Sequence, residues 1–370
     1  MSDSNTYAIS GNEVNSGYAS PSSLWIKDKN WDLTFISLSA VLVLIPILSF
    51  YVGHNYKNAT TRQMSMTVDY FVAAFIGGPH MFATYLRTFM DKSFVRTKPF
   101  VTWSSLLIPV FVIAIGINDA RMPILLTIFF TFASIHVVQQ VLYLVDSYNN
   151  KAKLVIPKWE KYTDYLVAFT ALAPWGIYMF VHDKFLIDGR MLLFPPFLKL
   201  EILVYASFAL FFAALALFIY KTVIEIKQKR FNGPKTLLIA LTVFIGFWIP
   251  AVGLLGVPLD VSFQGFNIWH SFQYLGVTAY ILNMKLKKGE IHSHLVQKLS
   301  SNGWYFYGFN VLITLILVAI MLFISPDFGF GLVATDSQAR YLPTLSFLLM
   351  HYYHDNFLFK DETALVPAVS

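Results

Sequence analysis

LEILVYASFALFFAALALFIY, residues 200–220, carries a single charge, Glu201, in 21 residues. A helix of that length rises about 30 Å, the thickness of a bilayer's hydrocarbon core. Nine further apolar runs of comparable length flank it, near 33–52, 67–90, 100–118, 122–145, 165–182, 236–257, 263–284, 303–325 and 341–360. Composition agrees: 56% of the chain is hydrophobic and 13% is charged, about half of what a soluble surface requires. The sequence therefore predicts an all-α polytopic integral membrane bundle of about ten transmembrane helices. Residues 25–360 form its single domain, 1–24 a disordered polar tail and 361–370 a short C-terminal tail.

Charge placement orients the bundle. Of the 27 Lys and Arg, 19 fall on the side of the N-terminus, 7 on the opposite side, and Arg87 lies inside a span. The positive-inside rule then puts both termini in the cytoplasm. The net charge of +6 is too scattered for a nucleic-acid surface. The absence of cysteine excludes zinc fingers, iron–sulfur clusters and thiolate haem. There is no HExxH, no phosphate-binding GxxxxGK[ST] loop and no dinucleotide GxGxxG.

Histidine is where chemistry enters. His54, His182, His292 and His294 fall in expected loops; His80, His136, His270, His351 and His354 fall in the second, fourth, eighth and tenth spans. In a ten-helix topology these spans run in the same direction, so their histidines share a slab about 12 Å thick in the cytoplasmic half. Each has polar company at i±3 or i±4. Gln139 and Gln140 follow His136, with Tyr143 two turns on; Asn267 precedes His270, and Gln273 and Tyr274 follow it. His351, His354 and Asp355 share one helix face, and Thr84 and Arg87 follow His80 in GGPHMFATYLRTF.

Ionisable groups at membrane depth are costly and by default mark function. Neutral imidazole is the commonest metal ligand. The pattern predicts His80, His136, His270, His351 and His354 as metal ligands and Asp355, Tyr143 and Tyr274 as catalytic or orienting groups. Gln139, Gln140, Asn267, Gln273 and Arg87 are expected to support the site or a cofactor. An all-nitrogen-and-oxygen donor set suits non-haem iron, with copper, zinc or haem as alternatives. The chemistry resembles that of integral-membrane di-iron desaturases and hydroxylases, although their HxxxH and HxxHH boxes are absent.

The function expected first is an iron-dependent oxygenase, hydroxylase or desaturase acting on a lipid-soluble substrate. Its reducing equivalents would come from an external donor, because no flavin or nicotinamide fold is present. A proton-coupled transporter using the His/Asp pairs is the second reading and a haem electron-transfer protein the third. Interhelical hydrogen bonding, worth about 0.6 kcal/mol per pair, is the structural alternative for any one residue.

Overall fold

A computed structural model describes residues 24–56, 60–153, 156–327, 329–361 and 364–365. All but Leu24 of the expected N-terminal tail, and most of 361–370, lie outside the described residues. Leu365 is fully buried in the largest apolar cluster. One hairpin, Leu186–Ile187 with Arg190–Met191, is the only strand pair among the described residues. The rest of the regular structure is helical.

The long helices are α1 (Lys29–His54), α2 (61–87), α3 (Pro99–Gly116), α4 (Asp119–Ala152) and α5 (Lys158–Val181), then α6 (Glu201–Lys227), α7 (Gly233–Leu255), α8 (Leu259–Lys287), α9 (Gly303–Ile324) and α10 (Asp336–Leu358). Seven of them, α1, α3–α7 and α9, are long and apolar enough to cross a membrane. In the most apolar stretches of α6 and α9 only 28% and 22% of residues are buried within the protein, so their remaining apolar surface suits lipid. The other three, α2, α8 and α10, are comparably long but more polar. They host His80, His270 and His351. Thr84, Ser271 and Asp355 of these helices are buried beside the histidines.

Local chemistry sets the helix ends. Thr60 and Gln63 form a capping box at the start of α2, and Thr335 and Gln338 repeat it for α10. Gln338 also donates to the carbonyls of Gly116 and Ile117, at 3.0 and 2.8 Å, tying α10 to the end of α3. Asp32 accepts from the backbone of Ile26 and Lys27 and from the Tyr148 hydroxyl, which docks the start of α1 on α4. Gly265 lets α8 lie against α1: a Cβ there would stand 2.7 Å from the Val43 carbonyl oxygen. In the middle of α2, a π turn over Ala73–Gly77 runs into Gly78–Pro79 just before His80. A π turn shifts the helical register, a device frequent at functional sites.

Candidate metal centre

His80 from α2, His136 from α4, His270 from α8 and His351 from α10 converge in the interior. All four are buried, and one ring nitrogen of each lies within 4.8 Å of the others. The rings form a closed circuit, with centroids 4.5 Å apart for His80–His351, 4.7 Å for His351–His136, 4.8 Å for His136–His270 and 5.1 Å for His270–His80. Two pairs meet through Nε2: His80 and His351 at 2.9 Å, His136 and His270 at 3.1 Å. The rings pack edge to face.

The surroundings place the proton of one ring. His80 Nδ1 is 2.6 Å from the Gly77 carbonyl oxygen, which only accepts, so Nδ1 carries the hydrogen and Nε2 is bare. Ser271 Oγ also lies 2.9 Å from that Nδ1. On the other side, Thr84 Oγ1 is 2.6 Å from His351 Nδ1 and donates to Asp355 Oδ1 at 3.1 Å. Tyr274 donates to the same carboxylate oxygen at 2.7 Å. Thr84 Oγ1 and Tyr274 Oη are themselves 2.6 Å apart, so the hydrogen between Thr84 and His351 Nδ1 follows the His351 tautomer. With the proton on Nδ1, the Nε2 lone pairs of His351 and His80 face each other at 2.9 Å, as two ligands of one cation would; with it on Nε2, His351 donates to His80.

Unpartnered atoms surround the cluster. His136 Nδ1, His270 Nδ1 and Asp355 Oδ2 are buried without a hydrogen bond. Asp355 Oδ2 lies 3.6 Å from His351 Nδ1 and 3.8 Å from His136 Nε2. A buried polar atom left without a partner costs about 1–3 kcal/mol, more when charged. The four histidines with Asp355 beside them are a set that could hold a metal ion.

The other expected site residues fall into three groups. Gln140 donates to the His270 carbonyl and to Gln273 Oε1, both at 3.1 Å, and Gln273 donates to the Ile36 carbonyl at 2.6 Å. Gln140 thus ties α4 to the His270 backbone with its own Oε1 left unpartnered, and Gln273 ties α8 to α1. Asn267 accepts from Ser271 at 3.0 Å, one step from His80. Gln139 is turned away and donates to Asn356 at 3.4 Å. Tyr143 stacks on Phe359 with its hydroxyl unpartnered, and no hydrogen bond joins it to the histidines. Arg87 is buried and acts on Asp355 through space, without an ion pair.

One expected ligand departs from the set. His354 Nδ1 meets Thr88 Oγ1 at 2.9 Å, and its ring packs on Phe89 at 5.0 Å. Thr88 Oγ1 donates to the Thr84 carbonyl, so it accepts from His354. The expected five-histidine set is therefore a set of four. On α10, Asp355 at i+4 stays about 40° from His351, while His354 at i+3 swings about 60° the other way. That rotation aims it at the end of α2 instead of the interior. Of the loop histidines, His294 opens a short helix, His294–Ser301, and His54 lies within α1.

Sequence reasoning missed Ser271 and the buried charges Asp164, Lys221, Glu225 and Lys235. The signal for the latter was present as Lys221 and Glu225 at i, i+4 beside an apolar span.

A cavity of about 140 Å³ lies against His80 and His270, walled by Phe129, Phe263, Leu317, Leu348 and Tyr352. At its far end Asp69, Asp260 and Arg340 border a wider vestibule of about 1030 Å³. Laterally it adjoins an apolar groove of about 370 Å³ along α4, α5 and α8, sharing Val137, Phe263 and Phe266. Comparison with protein-family models, with curated proteins and with solved structures finds no match for this chain. The fold and site define a membrane helix bundle with a buried four-histidine cluster.

Proposed function

We propose that this chain is a membrane-embedded metalloenzyme, a non-haem iron oxidoreductase of the oxygenase, hydroxylase or desaturase kind, acting on a lipid-soluble substrate. The observation that carries the reading is the convergence of four buried imidazoles, with the Nε2 atoms of two of them 2.9 Å apart. Each Nε2 pair, at 2.9 and 3.1 Å, is close enough for both members to reach one metal at about 2.1 Å. An all-imidazole set with a neighbouring carboxylate suits iron, with copper and zinc as the alternatives that metal analysis separates. Bound iron would supply activation of O₂, and an external reductant would supply the electrons.

The chain's own residues do the rest. Asp355, through Thr84, holds the His351 ring in the tautomer that presents Nε2 inward. Gly77 does the same for His80. The aromatic walls of the inner cavity keep bulk water from the centre, and the lateral groove gives an apolar molecule a route from lipid to His80 and His270. The proposal includes ten spans with both termini cytoplasmic, with α2, α8 and α10 crossing inside a ring of more apolar helices. Reporter fusions at Lys153 and Lys229 should report cytoplasm, and one at Asp188 the opposite face.

One observation favours a second reading. Asp355 Oδ2 has no partner and lies within 4 Å of two histidines, an arrangement that would also serve a proton-coupled carrier. Metal analysis with a visible spectrum of the purified protein separates the readings. Stoichiometric non-haem iron supports the enzyme, a Soret band indicates haem, and protein purified metal-free from metal-replete medium favours the carrier.

A further inference from the structure

We propose that Asp69, remote from the cluster at the border of the vestibule, is a positioning residue that holds His80 in its metal-binding tautomer through a one-way chain of hydrogen bonds. The inference rests on the metal reading above for its purpose, but not for its geometry. The chain begins at a carboxylate, which when ionised only accepts. Gln264 Nε2 donates to Asp69 Oδ1 at 2.9 Å, which leaves the Gln264 carbonyl oxygen facing inward. That oxygen accepts from Asn267 Nδ2 at 2.9 Å. The other end of the Asn267 amide, Oδ1, accepts from Ser271 Oγ at 3.0 Å. Ser271 has then spent its only hydrogen, so toward His80 Nδ1, 2.9 Å away, it can only accept.

Every link points the same way, and each amide is oriented by the one before it. Gln264, Asn267 and Ser271 recur at three and four residues on α8, so one helix face carries the chain from Asp69 to the cluster. Asp355 and Thr84 build the shorter counterpart for His351. Two carboxylates thus fix two histidines, one through a single hydroxyl and the other through three side chains. Gly77 is part of the device. A Cβ at position 77 would stand 2.9 Å from Asn267 Nδ2, so glycine lets the amide lie against α2 while the Gly77 carbonyl takes the same His80 hydrogen. Arg340 Nη1, 3.7 Å from Asp69 Oδ2, gives the carboxylate a positive neighbour at its outer end.

The test uses full-length protein labelled with ¹⁵N-histidine, freed of metal, and compared as wild type, Asp69→Ala, Asp69→Asn, Asn267→Leu and Ser271→Ala. Wild type should show His80 protonated at Nδ1. Asp69→Ala and Asn267→Leu, which free the Ser271 hydrogen to turn toward Nδ1, should each give a mixture of tautomers at His80. Ser271→Ala leaves the Gly77 carbonyl as the only acceptor there and should keep the Nδ1–H form. On titration with Fe(II) the first two should also be the ones that lose affinity, by about tenfold. Asp69→Asn can still accept from Gln264 and should restore both readouts. Tyr307→Phe, which removes a hydrogen bond to the Phe75 carbonyl outside the chain, reports what plain destabilisation does and should leave the tautomer unchanged. An unchanged His80 signal in both Asp69→Ala and Asn267→Leu overturns the proposal, as does failure of Asp69→Asn to rescue. Should wild type bind no iron, the metal reading falls, while the metal-free tautomer spectra still decide the chain.

Discussion

Two buried polar clusters occupy this bundle, and they are built on opposite plans. In the first, Lys221 and Lys235 alternate with Asp164 and Glu225 between α5, α6 and α7, with side chains no more than 3% exposed. Every charge there has an opposite charge within 3.2 Å, and Arg230 with Glu160 extends the arrangement at its edge. In the second, four imidazoles point like atoms at one another and leave Nδ1 of two rings and one carboxylate oxygen without partners. Desolvated charges are tolerated when each is answered by its complement. The first cluster answers each charge with its own side chains, although Glu225 Oε2 makes no hydrogen bond there, whereas in the second no Lys or Arg among the described residues forms an ion pair with Asp355. Complementarity fits a structural clamp, and its absence in an equally buried place fits the metal site proposed above.

Substitutions can break this contrast. The largest effect is expected from His270→Ala, which should abolish metal retention, read as metal per chain after purification, while the protein stays folded. Lys221→Met should do the reverse. It leaves Asp164 and Glu225 short of a cation, costs about 3–5 kcal/mol in stability and leaves metal stoichiometry intact in the folded fraction. A thermal melt paired with metal analysis checks both variants. If Lys221→Met loses metal in proportion to His270→Ala, the two clusters are not separate devices.

Smaller effects sharpen the contrast. Thr84→Val removes the hydroxyl between His351 and Asp355 and should weaken metal binding about 10–100-fold, measured by competition with a chelator of known affinity. His354→Ala, although it changes a histidine on the same helix as His351, should leave metal affinity within about twofold. A loss as large as that of His270→Ala would return His354 to the ligand set.

The difference between these two histidines shows how far sequence reaches. Periodicity is enough to place His80, His136, His270 and His351 on inward faces, because polar companions at i±3 and i±4 mark the side that avoids lipid. The same rule admitted His354, since i+3 and i+4 count equally as neighbours of His351. Only the packing of α10 against the end of α2 separates a 40° offset from a 60° one. The polar character of α2, α8 and α10 was likewise legible as Asp355, Gln273 or Arg87 inside apolar runs. The apolarity that makes α6 and α9 plain membrane helices is thus diluted in the helices that build the site. Asp69 and Ser271 were not legible as site residues. Asp69 is linked to His80 through another helix, and nothing in a linear sequence reports a hydrogen bond that leaves one helix and returns.

The central claim is that four histidines from four helices hold one metal ion, and X-ray absorption at the metal edge of the purified protein tests it most directly. The account predicts nitrogen neighbours at about 2.1 Å with the outer-shell scattering of four imidazoles, falling to three in His270→Gln. A spectrum with two imidazoles or fewer, or one that His270→Gln leaves unchanged, would contradict it.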